Sequence, residues 1–186
     1  MPHIALNSDE PGIRGLLRFR PETGRPLGEL AEVLLRGPST LTRGERELIA
    51  GCVSALNDCQ YCSSSHSACA AAQLPGGMAL VEQVRADTGN APISAKLKAL
   101  LGIAFAVQQS GLKVSADDVT AARVAGATDL EIHDAVLIAA AFCMFNRYVD
   151  GLATIAPQDP ALYAAGAQRL IMHGYLAPPA EPEREG

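Results

Sequence analysis

The sequence contains no tryptophan, and aromatic residues make up only 4% of its 186 residues. A core without many large rings must be built from Ala, Leu, Val and Ile on closely packed helices. Positive charge is also scarce, since 15 Lys and Arg against 20 Asp and Glu give a formal net charge of −5. This balance excludes a basic nucleic-acid-binding protein and argues against an anionic membrane as the main partner.

The sequence also lacks long apolar runs and an N-terminal signal pattern. Its most apolar run, residues 135–145, has about 11 residues where a membrane span needs roughly 20. The first ten residues have no cationic start and no apolar stretch of signal-peptide length. We therefore expect a cytoplasmic protein that does not bind a membrane. In that reducing compartment, neighbouring cysteines indicate redox chemistry or metal binding.

Glycines, prolines and capping residues divide the chain into helices. Thr42, Ser115 and Thr128 each stand three residues before an acidic residue, the pattern of a capping box. No segment alternates with period two, so we expect one all-α domain over residues 1–186, a helical bundle that forms oligomers. Its core spans about residues 27–173, with a lead-in arm at 1–26 and a tail at 174–186 whose last ten residues are frayed. The predicted helices cover residues 13–19, 27–35, 43–56, 59–73, 78–87, 94–109, 115–125, 128–154 and 160–173.

Cys59, Cys62 and His66 stand at helical spacing at the start of one of these helices, for which Asp58 is the expected N-cap. Three residues are nearly one turn, so both sulfurs lie on one face, close enough for a disulfide. His66 lies one turn further along that face. The positive end of the helix dipole stabilises a thiolate. The pattern predicts a reactive cysteine with a resolving partner and a base.

Redox chemistry, metal binding and an incidental pattern are the three interpretations of this cluster. Zinc is disfavoured because Cys59, Cys62, His66 and Cys69 lie on one helix, whose rise separates the outer two by about 15 Å. No second C-x-x-C is present to complete a ligand shell. The redox interpretation is favoured. The remaining cysteines are expected to be packing residues. We expect Cys52 in the core, Cys69 in the core or an interface, and Cys143 buried in its apolar run.

Glu47, twelve residues before Cys59, completes a pattern that resembles the active-site signature of the alkylhydroperoxidase D family. That signature is Glu47 followed by Cys59-x-x-Cys62-x-x-x-His66, and the family belongs to the carboxymuconolactone decarboxylase-like superfamily. The layout is similar too, with a Glu-bearing helix, a short turn and the Cys helix. Residues 128–152 also resemble the closing core helix of the family. The likeness covers residues 41–152 and is greatest to the branch of uncharacterised peroxidase-related proteins.

The resemblance implies an all-helical homo-oligomer, a trimer or hexamer, that reduces organic hydroperoxides or hydrogen peroxide. It assigns Cys62 as the peroxidatic thiolate and Cys59 as the resolving thiol. Glu47 and His66 form a proton relay with Cys59 and a water. An external dithiol, carried by a lipoyl or thioredoxin-like protein, reduces the Cys59–Cys62 disulfide again. No haem, flavin or metal cofactor is needed.

The identity of the attacking thiol and the chemistry are open at this point. The helix dipole alone favours Cys59, whereas the resemblance favours Cys62 because it lies one turn from His66. Tyr61 stands where the best-known members carry a histidine, and a phenol is a poor base at neutral pH. A role for Asn146 at the site of a neighbouring subunit is a less favoured interpretation. The alternative functions are a decarboxylase-like lyase and a non-enzymatic redox-sensing or disulfide-exchange module.

Overall fold

The computed structural model describes residues 1–176, and these residues form α-helices and no β-strand. The predicted all-α class is therefore confirmed. A short 3-10 turn, Gly111–Lys113, follows the sixth helix. The helices are α1 Ile13–Phe19, α2 Pro21–Arg36, α3 Arg43–Leu56, α4 Gln60–Gln73, α5 Gly77–Ala86, α6 Ala95–Gln109, α7 Ala116–Val124, α8 Asp129–Gly151 and α9 Pro160–His173.

Three helix starts follow the predicted capping boxes. At Thr42, Ser115 and Thr128 the hydroxyl accepts from the third helical amide and the acidic side chain there accepts from the cap amide. Helix α2, however, begins at Pro21 and includes Pro26, whereas its predicted start was residue 27. Proline fits at the first helical position because the amide there has no intrahelical partner. The predicted start at residue 27 is therefore six residues too late.

The core lies where α3 and α8 meet, and α6 packs against both. Apolar side chains of these helices are fully buried, among them Ile49, Leu100 and Ile138. Helix α4 lies along the other side of α3. There the two backbones approach so closely that a Cβ on Gly51 would lie 3.2 Å from the Ser67 amide nitrogen. Because glycine has no Cβ, it permits this approach, which places α3 and α4 side chains within direct contact.

Among residues 1–176, α8 is the one helix with the length and apolar composition that a membrane crossing requires. In this structure it is the core helix, with ten residues buried. Its buried Glu131 accepts hydrogen bonds from Lys96 Nζ at 2.7 Å and Thr40 Oγ1 at 2.8 Å. Packing inside the bundle is sufficient to explain its composition.

The expected lead-in arm covers the cysteine pair. Leu6 and Leu16 are buried in one apolar cluster with Cys59 and Cys62. The His3 amide donates to the Leu152 carbonyl at 2.9 Å, and the Gly12 amide donates to the Ile155 carbonyl at the same distance. Residues 177–186, the segment predicted to be frayed, lie outside the described residues.

Candidate active site

The turn between α3 and α4 places Cys59 at the N-cap of α4. The predicted N-cap, Asp58, is wrong by one residue. Asp58 has a φ of 57°, in the left-handed region that Asp and Asn tolerate better than most residues, so it belongs to the turn. The Cys59 amide donates to the Ser54 carbonyl at 3.0 Å, which fixes the turn against α3. Cys62 therefore lies in the first turn of α4, close to the positive end of the helix dipole.

Cys59 and Cys62 are both free thiols in this structure, with exposed fractions of 0% and 3%. A hydrogen bond from the Cys59 thiol lowers the pKa of Cys62, and the charge of His66 lowers it further, although burial opposes both. The same hydrogen bond, together with burial, raises the pKa of Cys59. These opposite shifts favour Cys62 as the thiolate and Cys59 as the protonated partner.

Glu47 and His66 are in direct contact across the α3–α4 interface. His66 Nδ1 lies 2.7 Å from Glu47 Oε2, and Glu47 is 3% exposed. Since a carboxylate only accepts hydrogen bonds, Nδ1 donates and Nε2 is the nitrogen available for proton exchange. The Phe142 ring meets the imidazole edge-on, with centroids 4.5 Å apart. The Glu47 carboxylate and the Phe142 ring therefore orient the imidazole.

Tyr175 is a site residue that the sequence argument missed. Its hydroxyl donates to Glu47 Oε1 at 2.6 Å, so the two carboxylate oxygens bind two different side chains. The Tyr175 ring lies nearly parallel to the His66 ring, with centroids 6.2 Å apart. No sequence signal marks it, because it follows α9 and lies 128 residues from Glu47.

Asn146 lies beside Cys62 of its own chain. A hydrogen bond from its side chain is one of the contacts that lower the pKa of Cys62. Asn146 Nδ2 also donates to Ser54 Oγ at 3.0 Å, and Asn146 Oδ1 accepts from Asn57 Nδ2 at 2.8 Å. Asn57 in turn accepts from Gln108 Nε2 at 3.0 Å. A signal was present in the sequence: a polar residue directly after the apolar run of a core helix.

A small polar cavity of about 380 Å³ lies between the α3–α4 turn and the end of α8. Two of its lining residues, Asn146 and Asp150, also influence the pKa of Cys62, by a hydrogen bond and by charge repulsion respectively. The cavity therefore shares Asn146 and Asp150 with the surroundings of the Cys62 thiol and offers polar groups to a small oxidant. It is lined by Asn57, Asn146, Arg147, Asp150 and Gly151.

Tyr61 does not line this cavity but a larger cleft of about 740 Å³ between α4, α9 and the first two helices. Its ring packs near Tyr163, with centroids 6.1 Å apart. A Cβ on Gly12 would overlap the Tyr61 ring, so the lead-in arm closes tightly over it. Burial raises the pKa of Tyr61 to about 12, which makes this phenol a poor proton acceptor at neutral pH.

The other three cysteines are packing residues or lie at the margin of the site. Burial raises the pKa of Cys52 to about 12, and burial together with the Glu47 charge raises the pKa of Cys69. Cys143 was expected to be buried but is half-buried, and its sulfur accepts from Asn57 Nδ2 at 3.6 Å. Within residues 1–176, no group of three or more His, Cys, Asp or Glu side chains converges as a metal site.

Comparisons with known proteins fit this geometry. Residues 21–73 match the model of the Carboxymuconolactone decarboxylase family. The alkylhydroperoxidase AhpD core from Ralstonia eutropha JMP134, an uncharacterized peroxidase-related protein, is 27% identical with a TM-score of 0.74. That likeness covers 84% of this chain and 81% of the other. An uncharacterized peroxidase-related protein from Silicibacter sp. TM1040 is 28% identical with a TM-score of 0.74, covering 83% and 78%. No curated protein matches the chain.

The chain thus has the fold of the AhpD-like all-α proteins. The suspected resemblance to the alkylhydroperoxidase D-like family, in its peroxidase-related branch, is confirmed. All four predicted site residues fall within the family match: Glu47, Cys59, Cys62 and His66. That match ends at Gln73, so it does not include Phe142, Asn146 or Tyr175.

Proposed function

We propose that this protein is a thiol-dependent peroxidase that reduces organic hydroperoxides or hydrogen peroxide through Cys59 and Cys62. The observation that carries the proposal is a pair of buried free thiols at the start of α4, next to an imidazole that the Glu47 carboxylate binds at 2.7 Å. The Cys59 hydrogen bond and the nearby His66 also lower the pKa of the Cys62 thiol. A thiolate at neutral pH is the nucleophile that attacks a peroxide. The peroxidase-related names of the similar structures are consistent with this chemistry.

The reaction has three steps. The Cys62 thiolate attacks the terminal oxygen of the hydroperoxide, the O–O bond breaks, and the departing alkoxide takes a proton from the Glu47–His66 pair. This leaves an alcohol and a sulfenic acid on Cys62. The sulfur of Cys59 then attacks that of Cys62, the S–O bond breaks, and the sulfenic OH leaves as water with the proton of the Cys59 thiol. An external dithiol reduces the new disulfide by exchange and becomes a disulfide itself.

The side chains have distinct roles in these steps. His66 holds and returns a proton at Nε2, while Glu47 fixes Nδ1 and stabilises the imidazolium. Asn146 donates a hydrogen bond to the thiolate and lines the polar cavity through which we propose that the peroxide group approaches. The 380 Å³ volume suits a hydroperoxide group better than a large cofactor.

Peroxide consumption in the presence of dithiothreitol or dihydrolipoamide tests the proposal. We expect Cys62→Ser to reduce consumption to the background rate, because the nucleophile is lost. Cys59→Ser should be sharply slower, since only the external dithiol can then reduce the sulfenic acid. Cys52→Ser is the matched control, a buried thiol outside the site, and should retain activity. Full activity in both site variants would rule out the dithiol mechanism.

Mass spectrometry after one equivalent of hydroperoxide gives a direct test of the intermediates. With a sulfenic-acid trap, the adduct should appear on Cys62. Without the trap, Cys59 and Cys62 should be joined in one disulfide-linked species. An unmodified pair in both samples would contradict the proposal even if the sample consumed peroxide slowly.

A lyase of the decarboxylase type is the second candidate, favoured by the family model that matches residues 21–73. That chemistry moves protons and does not require a dithiol. A double Cys59→Ser, Cys62→Ser variant separates the two functions. Decarboxylation of a lactone acid that survives in this variant would favour the lyase, whereas loss of peroxide turnover alone would favour the peroxidase.

We also propose that the protein acts as a homo-oligomer, a trimer or hexamer, and is reduced by a lipoyl or thioredoxin-like protein in the cytoplasm. An exposed apolar stripe on α8 supports self-association. Leu130, Leu137 and Met144 recur every seven residues on one face, with exposed fractions of 57%, 36% and 44%. Such a stripe on a helix is typical of a packing face.

A further inference from the structure

We propose that Tyr175 is a positioning residue that keeps the relay proton on His66 by donating a hydrogen bond to the Glu47 carboxylate. The inference rests on the proposed function, in which Glu47 and His66 move protons for Cys62. Its basis is the 2.6 Å hydrogen bond from the Tyr175 hydroxyl to Glu47 Oε1, opposite the 2.7 Å contact of Glu47 Oε2 with His66 Nδ1.

Tyr175 is held in place independently of Glu47. Its backbone amide donates to Glu32 Oε2 at 2.8 Å. Glu32 pairs with Arg36 at 3.0 Å, and Arg36 Nη1 donates to the carbonyls of Leu170 and Ile171 at 3.0 and 3.1 Å. The end of α9 is therefore tied to α2. This anchoring lets the phenol act on the carboxylate as a fixed donor.

Gly174 allows the chain to turn toward that anchor. Its φ is 79°, a left-handed value that disfavours side chains. A Cβ at this position would also lie 2.6 Å from Glu32 Oε2, the atom that accepts from the Tyr175 amide. The backbone before Tyr175 is thus shaped to bring this residue against α2 and α3.

The hydrogen bond determines where the shared proton lies. A buried carboxylate that loses a donor becomes more basic, because hydrogen bonds to the charged form favour that form. Without Tyr175, Glu47 would compete with His66 for the relay proton, and a neutral imidazole stabilises a thiolate less well. Burial and the Glu47 charge raise the pKa of Tyr175 well above its usual range, so the phenol stays a donor across the neutral range.

Other charged and titratable groups also face Tyr175 and Glu47, and the Tyr175→Phe variant leaves them unchanged. Helix α2 contributes an ion pair and α3 a buried guanidinium, while α4 contributes two thiols. These groups are Glu32, Arg36, Arg46, Cys62 and Cys69.

The test is the pH dependence of Cys62 alkylation by iodoacetamide in the full chain, followed on the Cys62 peptide by mass spectrometry. Tyr175→Phe should move the midpoint upward by about one pH unit, the size expected from one hydrogen bond to a charged group. Tyr163→Phe is the control, since it also loses a tyrosine hydrogen bond, to the Pro157 carbonyl at 2.9 Å. Its midpoint should match that of the unmodified protein.

A second substitution keeps the test informative if Tyr175→Phe does not fold. Site-specific 3-fluorotyrosine at position 175 retains the ring and makes the hydroxyl a stronger donor. It should move the midpoint downward, opposite to phenylalanine. With Glu47→Gln as background, Tyr175→Phe should cause no further upward shift, because the carboxylate on which the phenol acts is absent.

The outcomes separate this inference from the proposed function. Midpoints that do not move, or that move in the same direction for phenylalanine and fluorotyrosine, would overturn the role of Tyr175 even if the protein consumes peroxide. Opposite shifts would support that role even if peroxide turnover proved absent, because alkylation reports the thiolate and not the complete reaction.

Discussion

At the scale of single residues, the site depends on a few buried polar contacts around one sulfur. Cys62 receives hydrogen bonds from Cys59 and Asn146 and lies near the charge of His66. Each contact favours the thiolate, while burial and Asp150 oppose it. A buried thiolate persists only when such contacts outweigh the cost of its desolvation.

Asn146→Asp tests this balance with almost no change in shape. Ser54 can rotate its hydroxyl to donate to the new carboxylate, and Asn57 Nδ2 already donates to Oδ1 at this position. The new negative charge beside Cys62 should raise the pKa of the thiol and lower peroxide consumption near pH 7 by about tenfold or more. The measurement is the rate of consumption against pH, in which activity should recover as the pH rises.

The control for this variant is Gln83→Glu, which makes the same change of charge on an exposed face of α5. Its pH profile should match that of the unmodified protein. An Asn146→Asp profile that also matches would show that this side chain does not act on Cys62.

At the scale of helices, local sequence rules predicted the elements that carry the motif. Glu47, Cys59, Cys62 and His66 stand at helical intervals, and the Thr42 capping box determines where α3 begins. These are properties of short segments, so they are readable without a fold. The N-cap was misplaced by one residue because Asp58, a favourable cap, takes a left-handed turn conformation instead.

Tertiary contacts account for what the sequence could not predict. Phe142 and Tyr175 reach the Glu47–His66 pair from α8 and from beyond α9, at positions with no periodic or motif signal. Their roles depend on how α3, α4 and α8 pack, which no local pattern specifies. The sequence shows Asn146 as a polar residue directly after an apolar run. That its side chain lies beside Cys62 could not be predicted, because it depends on how the helices pack.

Glu131, in the first turn of α8, makes the free energy of unfolding depend on pH in the acidic range. Burial opposes ionisation of Glu131, but hydrogen bonds from Lys96, the Thr128 amide and Thr40 outweigh it and lower its pKa to about 2. Because the folded-state pKa lies below the ordinary value of 4.5, its stabilisation is present above that value and is lost as pH falls toward 2. The contribution is at most about 3 kcal/mol.

Urea unfolding near pH 7 and near pH 3 measures this effect. The free energy of unfolding should fall between the two pH values, and Glu131→Gln should reduce that difference while lowering stability near neutral pH. Glu29→Gln removes a solvent-exposed partner of Arg25 and serves as the comparison, with little change expected. An unaltered pH dependence in Glu131→Gln would mean that other carboxylates cause the acid sensitivity.

At the scale of the whole molecule, the exposed apolar stripe of α8 is the surface through which we propose that copies of the chain associate. If Leu130, Leu137 and Met144 pack against another copy, Leu137→Glu would bury a charge at that contact and should give monomers. Light scattering coupled to size-exclusion chromatography gives the mass directly. Leu112→Glu changes a residue that is 97% exposed in the 3-10 turn and should leave the mass unchanged. A Leu137→Glu protein with the unmodified mass would place the interface elsewhere.

The arm over the thiol pair has a consequence for the order of events in a catalytic cycle. With Leu6 and Leu16 packed on it, Cys59 has no exposed surface, and the Gly12 backbone lies against Tyr61. A peroxide is small enough to enter the polar cavity. A reducing protein is too large to enter it. In the proposed cycle, oxidation therefore proceeds in the closed molecule, whereas reduction of the disulfide by a protein partner requires residues 1–12 to move aside. The two halves of the proposed cycle thus differ in the size of the molecule that reaches the thiols.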